Sequence, residues 1–209
     1  MPTSPNQTNP QHQEQKPDKF LITSTGRSGT TFLLLIYVML DQPSNYTKHT
    51  YYETLKRFFV TNCGLEGDWD EPGIFIKNPN FLTKIPEIHQ NTNLKGILFP
   101  YRNFEDSAKS RAIISQRTPN GGLWNANDVP SQIQFYNQIY KTFLLDTTRF
   151  NIPVIYIDFN RLIKDPLYTY KILNPTFYPT PDSVTFHQFL LAYYQATDIH
   201  HRKPPRTSL

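Results

Sequence analysis

Between residues 20 and 33 the chain reads Phe-Leu-Ile-Thr-Ser-Thr-Gly-Arg-Ser-Gly-Thr-Thr-Phe-Leu: an apolar strand pattern, a turn of small residues, then an apolar helix pattern. That order builds a phosphate cradle. The turn from Thr25 to Thr31 aims successive backbone N–H groups at one anion, and the following helix adds the positive end of its dipole. The same alternation continues downstream. Short apolar runs at 20–24, 74–76, 96–101 and 154–157 predict buried strands. Helical patterns at 30–40, 51–60, 81–90, 104–116 and 131–150 lie between them, with Asn103 and Ser131 as N-caps. Strands and helices in alternation predict an α/β fold: three layers, with a mainly parallel sheet covered by helices on both faces.

At 209 residues the chain is long enough for one such domain without covalent staples. Residues 1–17 are almost all Pro, Gln, Asn, Thr, Ser and His, which predicts a disordered tail. The domain is expected over 18–199, followed by a flexible basic tail at 200–209. Twenty-one Lys and Arg against 17 Asp and Glu leave a net charge of +4. That excess suits an anionic ligand and is too small for general nucleic-acid binding. The single Cys63 excludes an internal disulfide framework and fits a reducing compartment. No apolar run approaches the about 18 residues that a membrane span needs, and no signal-peptide pattern opens the chain. The expectation is a cytoplasmic protein with no membrane partner.

The cradle departs from a Walker A loop, Gly-x-x-x-x-Gly-Lys-[Ser/Thr]. With Gly29 as the second glycine, Thr30 stands where the lysine belongs and Ser24 where the first glycine belongs. The cation stands upstream, as Arg27, which points to an anionic donor other than ATP. A second anion constellation follows the strand at 96–101. Arg102 stands at the strand's carboxyl end, where ligands bind in open α/β sheets, and Ser110 stands two helical turns further on. A guanidinium and a hydroxyl offered together suit one phosphate.

Arg102, Asn103, Asp106 and Ser110, spaced Arg-Asn-x-x-Asp-x-x-x-Ser, resemble the 3′-phosphate motif of sulfotransferases that use 3′-phosphoadenosine-5′-phosphosulfate (PAPS). Residues 25–31 resemble that family's 5′-phosphosulfate loop in the Arg form of its glycan, tyrosylprotein and bacterial members. Phe75-Ile76-Lys77-Asn78-Pro79 is similar to the family's Lys-x-Pro segment, and 155–166 to its Tyr-Glu-x-Leu-x-x-Asp-Pro strand and turn. The four matches stand in the family's order. The resemblance implies a P-loop-containing nucleotide hydrolase-like fold and PAPS as co-substrate. It implies that Gly26, Arg27, Ser28, Gly29, Thr30 and Thr31 hold the 5′-phosphosulfate, and Arg102 and Ser110 the 3′-phosphate. Lys77 would neutralise charge on the bridging oxygen or the sulfuryl group. Sulfuryl transfer needs positioning and charge stabilisation more than covalent chemistry, so catalysis by Arg and Lys without a metal is expected.

An acceptor hydroxyl needs a base. Family members of the cytosolic type carry a His two residues after the Lys, where this chain has Pro79. Members of the Arg type use a Glu shortly after the first helix; the matching position here holds His49, with Glu53 one helical turn on. Both stay candidates. The turn-rich stretch 117–130, with Trp124, is a candidate functional loop. Two rivals stand beside this reading. A P-loop kinase using Mg-ATP would take Asp158 as a magnesium ligand, and a degenerate family member would bind the nucleotide without turning it over. The acceptor is expected to be a carbohydrate or another small hydroxyl-bearing molecule.

Overall fold

Apart from two threonines at its start and one tyrosine, the segment 30–39 is wholly apolar, so no side of a helix there gains from meeting water. The computed structural model describes residues 15–51, 53, 64–116 and 121–201, with backbone alone at 200 and 201. It buries all ten residues of helix α1 (Thr30–Met39). The phenol of Tyr37 is satisfied inside the core by the Thr176 hydroxyl at 2.6 Å, and burial pushes its pKa up.

Beside α1 stands a sheet of four described strands: β1 (Asp18–Ile22), β2 (Phe75–Lys77), β3 (Asn93–Tyr101) and β4 (Val154–Asp158). Their order is β2-β1-β3-β4 and every pairing is parallel. Further described helices are α2 (Ile85–Asn91), α3 (Phe104–Ser115), α4 (Val129–Arg149), α5 (Phe159–Leu162), α6 (Pro166–Leu173) and α7 (Phe186–His201). One apolar cluster gathers α1, α6 and α7 on one face of the sheet. A second gathers α2, α4 and Ala108 of α3 on the other. The expected three-layer α/β fold with a parallel sheet is what the chain forms.

Two local expectations are corrected. The helix at 81–90 is a 3-10 turn (Pro79–Thr83) followed by α2, because Pro86 restricts the residue before it and lacks an N–H to continue a helix. Helix α4 begins at Val129, not at Ser131. Asp128 caps it, and Ser131 is the partner that completes the capping box. Beyond the elements marked in the sequence, α6 and α7 pack on the α1 side, where Phe189, Ala192, Tyr193 and Ala196 are buried one helical turn apart. Residues 1–14 of the expected tail, 54–60 of the expected helix, Cys63, residues 117–120 of the loop and the basic residues beyond 201 lie outside the described residues.

Lys19, almost wholly buried on β1, ties the 71–73 turn to the sheet by donating to the carbonyls of Glu71 (2.6 Å) and Gly73 (2.7 Å). Burial holds its pKa below the usual lysine value. Lys19→Met leaves both carbonyls without their donor and is expected to cost about 1–3 kcal/mol. Urea denaturation reads the loss; an unchanged midpoint contradicts the tether.

Candidate functional site

Parallel pairing brings the carboxyl ends of the strands together. Ile22 pairs with both Lys77 and Leu98, and β3 runs on to Tyr101, opposite Asp158. The sequence after β1 is too small and polar to continue the strand, and it turns over the sheet edge. Gly26 (φ 85°), Arg27 (φ 57°) and Gly29 (φ 88°) take left-handed conformations, which glycine accepts without strain. Ser24 and Ser28 hydroxyls bond to each other inside the turn, and Gly26 N donates to Ser24 Oγ at 3.1 Å. Gly26 N–H therefore faces inward, away from any guest of the loop.

The other donors differ. Gly29 is the N-cap of α1 and offers no side chain to cap it, and no acidic residue occupies the first turn. Helices α3, α4, α5 and α6 are each capped by an Asn or Asp side chain. Among the described residues, no acceptor takes the N–H groups of Ser28, Gly29, Thr30 or Thr31. Thr30, Thr31 and Ser28 are buried. Buried backbone donors are nearly always paired, so the three on buried residues, with that of the half-buried Gly29 between them, leave the turn able to take an acceptor.

The cations expected from sequence converge here. Arg27 Nε donates to Ser110 Oγ at 3.3 Å. Arg102 Nη1 donates to Arg27 O at 3.0 Å, and its guanidinium lies 4.8 Å over the Phe159 ring. Arg27, Arg102, Ser110 and the loop thus form one contact set, although the resemblance divides them between two phosphates. Asn103 caps α3 by accepting from Glu105 N (2.8 Å) and Asp106 N (3.3 Å), which sets the phase that carries Ser110 toward the loop.

Lys77 is at the carboxyl end of β2, as expected, but it is only 2% exposed. Its ammonium donates to Gly64 O and Glu66 Oε1, both at 2.5 Å. Glu66 is a partner that sequence reading missed, since nothing local marks residue 66 as facing residue 77. His49 lies in an exposed turn after Ser44, whose bridge to Phe75 starts the segment at the edge of β2. Glu53, on helical backbone just beyond, is exposed too. Asp158 caps α5 by accepting from Arg161 N at 2.8 Å.

A second missed residue is Arg111, next to Ser110 but on the buried side of α3. Its guanidinium donates to Gly122 O (2.6 Å) and, at 3.4 Å, to Thr25 O, and it lies 5.5 Å from the Trp124 ring. Helical phase was the available signal: Phe104, Ala108 and Arg111 fall on one face. Trp124 packs edge-on against Phe135 at 5.0 Å and exchanges backbone hydrogen bonds with the Gln132 side chain. On the same side burial pushes the Tyr136 phenol up, against the charge and hydrogen-bonding reach of Arg111 and the charge of Arg27.

Among the described residues no group of three His, Cys, Asp or Glu stands together as metal ligands, and no helix is long and apolar enough to cross a membrane. No family model and no curated protein matches the chain. Among solved structures, the sulfotransferase domain from the Synechococcus PCC 7002 olefin synthase is similar at 12% identity with a TM-score of 0.43. The match covers 96% of this chain and 100% of that one. A likeness this distant assigns neither activity nor residue roles.

Proposed function

We propose that this chain is a sulfotransferase that moves the sulfuryl group of PAPS to a hydroxyl acceptor, a carbohydrate or another small molecule. The observation that carries the reading is the turn at the start of α1, where four N–H groups lack acceptors and Arg27, Arg102 and Ser110 meet. A single phosphate would not need two guanidiniums and a hydroxyl besides the turn; a donor with phosphoryl groups at both the 3′ and 5′ positions uses them all. The groups fit such a donor as a set of N–H donors and cations.

The donor supplies the sulfuryl group; this chain's residues do the rest. Ser28, Gly29, Thr30 and Thr31 hold the 5′ end through their N–H groups, with Arg27 adding charge, and Gly26 serves as the hinge of the turn. Arg102 and Ser110 hold the 3′-phosphate. Lys77, its ammonium held by Glu66, supplies positive charge at the sheet edge as the bridging S–O bond breaks. His49 or Glu53 takes the acceptor proton as the new S–O bond forms. A kinase reading has less support, because Thr30 stands where a Walker A loop carries its lysine.

Labelled PAPS offered with a panel of sugars, phenols and alcohols tests the reaction, and transfer of label in the presence of EDTA is the expected result. Binding without any labelled product across the panel points to the degenerate, non-catalytic member. Arg102→Ala is expected to weaken binding of adenosine 3′,5′-bisphosphate by about 10- to 100-fold, the loss of a charge-assisted contact. Adenosine 5′-phosphosulfate should lose only the smaller part that comes from the brace on Arg27 O. Equal losses in parallel calorimetric titrations would sink the 3′-phosphate assignment.

A further inference from the structure

We propose that Arg111 is the positioning residue of the phosphate loop: a buried guanidinium whose charge is balanced by the anion that the loop binds. The inference rests on the reading of that loop as an anion site. Arg111 is 7% exposed. Among the described residues no carboxylate lies within ion-pair distance of it. Its hydrogen-bond partners are two neutral carbonyls, one of them at the long distance of 3.4 Å. Its Nε and the hydroxyls of Ser107, one turn earlier on α3, and Tyr136 are buried without a well-formed hydrogen bond, and the Tyr136 phenol, close enough to feel the guanidinium, is a neutral group and no counter-ion. Buried charges are normally paired, because taking an ion out of water is not offset by neutral dipoles alone. This one stands against the loop instead.

Its place is tight. A Cβ on Gly26 would fall 2.2 Å from Arg111 Nη2, so the guanidinium occupies the space that a side chain at 26 would take. Through Thr25 O it holds the strand-to-turn junction, and through Gly122 O and the Trp124 ring it is itself held by the loop before α4. Gln132, wholly buried, fixes Trp124 by both backbone groups. The chain therefore fastens a cation behind the loop from two directions, and among the described residues no counter-ion balances its charge. An anion in the loop supplies one.

Charge and bracing are separable by substitution. Arg111→Lys keeps the charge and loses the fork; Arg111→Gln loses the charge and keeps a donor. Each full-length variant is titrated with adenosine 3′,5′-bisphosphate and, separately, with inorganic pyrophosphate, and melted without ligand. The expected affinity order is Arg, then Lys, then Gln, with Lys binding about 10-fold more tightly than Gln while being no more heat-stable when ligand-free. Equal affinities for Lys and Gln, or affinities that simply follow the ligand-free melting temperatures, overturn the proposal in favour of a strut. If neither variant folds without ligand, the melts are repeated in excess pyrophosphate. Rescue of Arg111→Lys alone supports the charge role, and rescue of neither overturns it. A parent chain that binds pyrophosphate but not the nucleotide overturns the PAPS reading and leaves the Arg111 comparison to be decided by pyrophosphate. A parent chain that binds neither overturns both.

Discussion

Gly26→Ala is expected to weaken binding of adenosine 3′,5′-bisphosphate by about 100-fold or more. Two effects add. The backbone at 26 is left-handed (φ 85°), a conformation that costs a residue with a Cβ about 1–2 kcal/mol. The new methyl also falls 2.2 Å from Arg111 Nη2. A guanidinium is the tip of a flexible chain, but this tip is fastened to Gly122 O and packed on Trp124. The turn must therefore give way, and with it the aim of the N–H groups after it. Gly29→Ala is the control. Its φ is just as unfavourable, at 88°, but the nearest atoms its Cβ would meet are side-chain carbons of Leu162 and Phe159 at 3.1 and 3.2 Å, which can shift by a few tenths of an ångström. Calorimetry should therefore show the smaller loss for Gly29→Ala. Parent-like affinity in Gly26→Ala would mean that the turn does not hold the nucleotide.

The largest effect on turnover is expected at the base. Removing a positioned general base costs about two to four orders of magnitude, and the candidates are His49 and Glu53, on the exposed segment that leaves the outer edge of β2. His49→Asn and Glu53→Gln, measured at saturating donor, separate them: the base shows the full loss in kcat with nucleotide binding retained. Two variants at full rate place the base elsewhere, and Glu66, half-exposed beside Lys77, is then the next carboxylate to replace.

What could be read from the sequence, and what could not, divides along the range of the interactions. Strand–turn–helix at 20–33 was legible because each local preference agrees: apolar residues for the sheet interior, glycines where φ is positive, an apolar helix that is buried on all sides. The Asn103 cap was legible for the same reason. Helices α6 and α7 were not read, although Phe189, Ala192, Tyr193 and Ala196 carry the helical period. Phe and Tyr recur through both helices, and they suit a sheet as readily as a helix. Arg27, Arg102 and Ser110, singled out in the sequence as an anion-binding set, do meet at one turn. Glu66 and Arg111 were not singled out, because what distinguishes them is a partner far away in sequence: Lys77 for one, Thr25 and Gly122 for the other. Lys77 was placed at the right strand end, and its burial came from the 64–66 segment folding over it.

The central claim is that the turn between β1 and α1 binds a nucleotide with phosphates at both its 3′ and 5′ positions without help from a metal. Isothermal titration of the full chain with adenosine 3′,5′-bisphosphate in EDTA, beside ATP with magnesium, tests it most directly. One site that saturates with the bisphosphate in EDTA, with ATP binding far more weakly, is the result expected here. No heat from the bisphosphate, or a preference for magnesium-ATP, contradicts it.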